Sequence, residues 1–137
     1  MNRKKPLRRS TKPIKRSGKR IPSRRKDPAK RAWAKHRNAA YQEYIRGLPC
    51  VLSGNGRHGC WGSKVECCHV KTRATGGDDV GNCFPACRWA HERQHWLGIA
   101  AFQEYYGVDL WAVARELTEQ WLRETSEGRA WQEAHPE

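Results

Sequence analysis

The sequence predicts a small α+β domain carried behind a basic arm, and three observations predict it. The segment "ECCHVKTRATGGDDVGNCFPACRWAHERQH", residues 66–95, reads as strand, glycine loop, strand and helix in that order. Amphipathic helical patterns lie on both sides of it. The chain has 137 residues, of which 37% are hydrophobic, so it has room for one domain with a small core. Something besides apolar burial should help hold such a domain.

The charge is uneven. Residues 1–40 hold 17 of the 27 Lys and Arg and one of the 14 acids, so the rest of the chain carries 10 basic against 13 acidic residues. "MNRKKPLRRSTKPIKRSGKRIPSRRK" is Lys, Arg, Pro, Ser and Gly with hardly an apolar side chain, and is expected to be a disordered arm over residues 1–26. A polyanion suits it, since each neutralised phosphate releases counterions and gives salt-sensitive anchoring with little sequence preference. Nucleic acid is therefore the expected partner, with a solubility or targeting segment as the plainer alternatives. No apolar run approaches the roughly 20 residues of a membrane helix, and no hydrophobic stretch follows the first charges. The expectation is a soluble, cytoplasmic protein, in which six cysteines serve as metal ligands or buried thiols rather than as disulfides.

The domain is expected over residues 27–125. Asp27-Pro28 reads as an N-cap followed by proline at the first helical position, starting a helix that runs to about Arg46 and stops at Gly47. Trp33, Ala40, Tyr41, Tyr44 and Ile45 form its apolar stripe, with Lys30, Arg37 and Gln42 outside it. Core packing is the expected role of these aromatics, and base stacking the alternative. Val65 to Lys71 and Asn82 to Ala86 are short strand-like pieces, "TRATGGDD" is the loop between them, and Arg88 to Leu97 is helical up to Gly98. A last amphipathic helix spans about 109–124, with Asp109 as N-cap and Leu110, Trp111, Ala114, Leu117, Trp121 and Leu122 on its inner face. Residues 126–137 are polar, include Gly128, and are expected to fray. There is no internal repeat and no Gly-rich phosphate loop of the P-loop or dinucleotide kind.

The chemistry is concentrated in the centre. His91 and His95 lie one helical turn apart, so their imidazoles leave the same face and suit a borderline metal ion such as zinc. His69, at the end of the first strand, suits a general base, because an unperturbed imidazole titrates near pH 6.5. A cation there would polarise a phosphoryl oxygen, the division of labour that phosphodiester hydrolysis needs. The same three histidines could instead join the cysteines in a closed structural zinc module, and residue types alone leave both open.

His69, Asn82 and "CFPACRWAH" ending at His91 resemble the His-Asn-His (HNH, ββα-metal) endonuclease motif. The wider run from "AYQEYIRGLPCVLSG" to "GIAAFQEYYGVDL", about residues 40–120, is similar to phage RecA-dependent nucleases of the recombination-enhancement (Ref) type, which also carry a basic arm. The resemblance implies a ββα-metal core flanked by helices and endonucleolytic DNA cleavage leaving 3′-hydroxyl and 5′-phosphate ends. It implies His69 as general base, Asn82 as the residue that orients the strand pair and that histidine, and His91 with His95 as ligands of a divalent cation, Mg, Mn or Zn. It also implies access to a RecA filament. Cys68 stands where relatives carry an Asp or His that helps bind metal, and a thiolate there favours zinc. Relatives often clasp a structural zinc with a Cys-x-x-Cys pair and a second pair at the helix start, but this chain has Ser53 and Ala90 at two of those positions. Cys50, Cys60 and Cys87 then form the expected set, with Cys83 or Cys67 as fourth ligand; buried free thiols are the alternative. Lys71, Arg73 and Arg88 are candidates for phosphate contacts. The rival from another class is a non-catalytic zinc module that binds nucleic acid.

Overall fold

The first described helix begins where a side chain can satisfy its free amides. In the computed structural model, which describes residues 37–136, helix α1 spans Ala39–Arg46, and the Asn38 side chain accepts from the Tyr41 N–H at 2.9 Å. Asn38 itself is extended (φ −122°, ψ 102°), so α1 starts there and is not the continuation of a helix passing through Asn38. The proposed start at Asp27-Pro28, together with Lys30, Trp33 and the arm over residues 1–26, lies outside the described residues. The end at Gly47 agrees with expectation.

A two-stranded antiparallel sheet follows, β1 (Val65–His69) against β2 (Cys83–Cys87), in the register Val65 opposite Cys87 and His69 opposite Cys83. Helix α2 (Arg88–Leu97) leaves β2 directly, and α3 (Ile99–Tyr106), α4 (Leu110–Glu124) and α5 (Ser126–Ala134) complete the described chain. The strand, loop, strand, helix order is the one read from the sequence, and the class is α+β. Pro85 sits within β2 at no cost to pairing, because each strand of a two-stranded sheet has an outer edge. On that edge the Pro85 carbonyl accepts from the Val51 N–H at 2.8 Å, which docks the 50–64 loop onto the sheet.

Each face of the hairpin builds its own core. On one side Cys68, Val70, Phe84, Ala86 and Ala90 pack with Leu52, Phe102, Tyr106, Leu110 and Ala114. On the other, Tyr41, Ile45, Cys83 and Trp121 pack together, with Cys67, Val80, Leu117 and Trp131 at the margin. Helix α4 joins the two, its first turns in one cluster and Leu117 and Trp121 in the other. Its N-cap is Asp109, which accepts from the Ala112 N–H at 3.0 Å, as the sequence predicts. Three positions of the helical patterns depart from expectation, among them Ala40, placed on the apolar stripe but exposed. Gln42 is buried, because Asp79 gives its amide a partner, while Trp111 is 44% exposed, just outside the face that carries Leu110 and Ala114.

The polar segment after Thr125 does not fray: it forms α5. Thr125 Oγ1 donates to the Trp121 carbonyl at 2.8 Å and accepts from the Gly128 N–H at 2.9 Å, so one hydroxyl closes α4 and caps α5. Gly128 lies so close to α4 that a Cβ would run into the Trp121 carbonyl. Trp131 then reaches the Trp121 ring, with centroids 6.3 Å apart. Gly128→Ala is expected to push α5 off α4 and lower stability by about 1–3 kcal/mol; thermal denaturation with near-ultraviolet circular dichroism of the Trp121 environment checks this.

Candidate metal centre and active site

The hairpin is closed by Asn82, whose carbonyl accepts from the Val70 N–H at 2.9 Å and whose side-chain amide spans the loop. Asn82 Oδ1 accepts from the Lys71 N–H at 2.7 Å, while its Nδ2 donates to the Lys71 and Asp78 carbonyls, both at 2.8 Å. Gly77 is buried against this amide, and a Cβ there would collide with the Lys71 carbonyl. Asn82 therefore fastens the two ends of the loop, which sets the place of His69 two residues before Lys71.

His69 Nε2 meets Asp79 Oδ1 at 2.7 Å. Asp79 is fully buried and gathers three further donors: Arg73 Nη2 at 2.9 Å, Gln42 Nε2 at 2.7 Å and the Asn38 N–H at 2.7 Å. Burial alone would raise its carboxyl, but the hydrogen bonds from His69, the Asn38 amide, Arg73 and Gln42 outweigh it and hold the group well below the ordinary carboxylate range. The carboxylate fixes the His69 ring through Nε2, and among the described residues no partner meets Nδ1.

His91 and His95 leave α2 together, with their Nε2 atoms 2.9 Å apart. Behind them Glu66 Oε2 meets His91 Nδ1 at 2.6 Å. A carboxylate on the far nitrogen of a ligand histidine sets its tautomer and ring orientation, the arrangement usual around bound cations. Glu66 was not singled out in the sequence; its signal was the two-residue period of β1, which puts it and Cys68 on the face toward α2 and Cys67 and His69 on the other.

A third group lies at the edge of the first core. Cys50, His58, Cys60 and Cys87 each present a ligand atom, all within 4.8 Å of one another, and could hold a metal ion. Tetrahedral zinc with Zn–S bonds of about 2.3 Å needs ligand atoms slightly under 4 Å apart, which this spread allows. Burial and the neighbouring Cys50 and Cys87 thiols push the Cys60 thiol up to about 12, and burial lowers the His58 pKa, favouring the neutral imidazole that binds metal. Cys87 is also buried, but it is the N-cap of α2, and the Ala90 N–H and the Ser63, Cys50 and Cys60 side chains lower its pKa. Metal binding here displaces thiol protons, so affinity falls on acidification.

Comparison of the chain with models of protein families, with curated proteins and with solved structures gave no match. The candidate sites accordingly stand on their geometry.

Three of the expected structural ligands, Cys50, Cys60 and Cys87, are brought together, and the fourth member is His58. Cys83, expected in that place, is buried in the other cluster, within 4.8 Å of His69 and Asp79, and Cys67 packs beside it. A hydrogen bond from the Cys83 thiol lowers the pKa of Cys67, and the same bond, with burial, keeps Cys83 protonated. Cys68 is not beside the histidine pair as a ligand but fully buried in the first core, its Sγ 3.8 Å from the Glu66 carbonyl, and burial holds its thiol high. Of the three candidate phosphate contacts, Arg73 is engaged by Asp79, Arg88 pairs with Glu92 at 3.1 Å on the surface, and the Lys71 side chain is exposed.

His58→Ala is expected to lose most of the bound zinc and lower the melting temperature, while Cys83→Ser keeps wild-type zinc content; elemental analysis of the purified proteins separates the two. The depressed Asp79 carboxyl contributes stability that is complete above its unfolded value near pH 4 and drains away as pH falls toward the folded one. Asp79→Asn is expected to cost on the order of 3 kcal/mol at neutral pH and to flatten the acid limb of stability, as read from urea titrations between pH 7 and pH 3.

Proposed function

We propose that the protein is a metal-dependent DNA endonuclease of the HNH type. The observation that carries the reading is a separation of roles: the closed Cys/His group takes its one histidine from position 58, leaving His69, His91 and His95 outside it. His91 and His95 are then left for a cation, and His69, which with Asp79 and Cys83 forms a second group that could itself hold a metal ion, for proton transfer, in a strand, loop, strand, helix unit. In this reading His69, held by Asp79 through Nε2, takes a proton from water at Nδ1. His91 and His95, with Glu66 behind His91, would hold the divalent cation, Mg, Mn or Zn, which would supply charge stabilisation at the phosphoryl and leaving oxygens. The Cys50, His58, Cys60 and Cys87 group, loaded with zinc, ties the 50–64 loop to the start of α2 and so steadies the helix that carries both ligands. The basic arm supplies salt-dependent affinity for DNA. Action on a RecA filament in phage recombination belongs to the same proposal and rests on resemblance alone.

The closed four-ligand group also favours a second reading, a zinc-stabilised module that binds nucleic acid without cutting it. Nicking of supercoiled plasmid and cleavage of single strands by wild type and His69→Ala, in magnesium, manganese or zinc and with or without a RecA filament, decides between them. Metal-dependent cleavage that falls about 100- to 10,000-fold in His69→Ala, with zinc content unchanged, the fold retained by circular dichroism and the melting temperature lowered only by the loss of one donor to Asp79, is the expected result. Binding without cleavage by both proteins under every condition overturns the nuclease reading in favour of the module.

A further inference from the structure

Five large apolar side chains of the described chain stand in solvent, and four of them share one region. Trp61 is 86% exposed, Trp96 75%, Trp89 56% and Tyr105 44%. Trp61, Trp89 and Tyr105 line one open groove together with Arg57 and Arg93. Trp89, Arg93 and Trp96 fall at i, i+4 and i+7 on α2, a single stripe. His91 and His95 lie about half a turn round the same helix, so this surface is separate from the proposed catalytic histidines.

The arginines are interleaved with the rings. Arg57 stacks 5.3 Å from the Tyr105 centroid, and Arg93 lies 5.1 Å from that of Trp96 and 5.9 Å from that of Tyr105. Neither forms an ion pair among the described residues, although residues 41–137 carry more acids than bases. The nearby Glu92 is taken by Arg88. Trp61 adds backbone strain: its φ is +50°, the left-handed region that a bulky side chain rarely adopts. The rings of this region therefore face water around guanidinium groups that have no carboxylate partner among the described residues, Arg57 Nη1 donating to the Tyr105 carbonyl at 2.6 Å, and one of the rings does so at a conformational cost.

We propose that this face binds single-stranded nucleic acid, with unpaired bases stacking on Trp61, Trp89 and Trp96 and phosphates meeting Arg57 and Arg93. The chemistry selects that occupant. Two guanidinium groups whose charge no carboxylate among the described residues neutralises repel a cationic ligand and attract a polyanion, and flat exposed rings take the π-face of any base without reading its edge. A duplex keeps its bases stacked internally and offers these rings nothing. The surface is independent of the cleavage reading, since neither His69 nor the histidine pair belongs to it.

The test is equilibrium binding of the full chain, without added divalent cation, to labelled oligothymidylate, oligouridylate and a duplex of equal length across a salt series. Raised salt suppresses the contribution of the basic arm. Trp89→Ala and Trp96→Ala are expected to weaken single-strand binding about 5- to 100-fold each, leaving duplex binding and the salt slope as in wild type. Arg93→Gln is expected to reduce the slope by about one. Losses on both single strands support recognition by stacking alone, and losses on one of them add discrimination by the sugar. Unchanged single-strand binding in both tryptophan variants, or equal losses on the duplex, overturns the proposal and leaves the face to a protein partner. Circular dichroism and zinc content are checked in each variant, and Arg93→Gln, which removes no ring, still tests the surface if a tryptophan variant loses its fold.

Discussion

A buried carboxylate with four donors ties together parts of the chain that are far apart in sequence. Asp79 accepts from the Asn38 amide and the Gln42 side chain of α1, from Arg73 of the loop and from His69 at the end of β1. An unpaired buried charge would cost several kcal/mol, so these groups are held to one arrangement. The carboxylate also does more than pack. It binds one nitrogen of His69 and so orients the ring whose other nitrogen is proposed to take a proton.

Around that constraint the domain divides its labour between the two faces of one hairpin. The face toward α2 carries Glu66 and Cys68, and there the apolar cluster runs up to the Cys50, His58, Cys60 and Cys87 group. The other carries Cys67 and His69 and is covered by α1 and the second half of α4. With only two strands there is little sheet to organise a core. Side-chain links therefore matter more than usual: the Asn82 amide across the loop, the Thr118 hydroxyl between Tyr41 and the Gly81 amide, and the candidate metal group at the start of α2.

The groups fit a common physical logic, that of a small core supplemented by directional bonds. A 37% hydrophobic share limits what burial can contribute, and a loaded Cys/His site adds folding free energy at the junction of loop and helix. A metal ion held there would anchor α2 at its N-terminus, apart from His91 and His95. The stripe of Trp89, Arg93 and Trp96 lies on the opposite flank of the same helix.

Elements set by local chemistry were legible in the sequence: both strands, the glycine loop between them, α2 up to Gly98, and α4 with its Asp109 cap. So was the pairing of His91 with His95, because helical spacing alone brings them together. Other features depended on partners distant in sequence. Gln42 reads as a polar residue off the stripe, and only Asp79, 37 positions away, makes its burial tolerable. The tail reads as polar and glycine-bearing, yet Gly128 is the small residue that lets α5 lie against Trp121. His58 lies within "CVLSGNGRHGC" at H-x-C spacing from Cys60, but only the fold of that loop, pinned by Pro85, brings it rather than Cys83 to the group. By itself the sequence determined the two strands, α2, α4 and the residues that carry reactive groups, since those follow from periodicity, caps and side-chain chemistry. Only the tertiary structure decided which of those groups meet, because a metal site or a buried ion pair is defined by distances between elements, and these follow from how the two faces of the hairpin are packed.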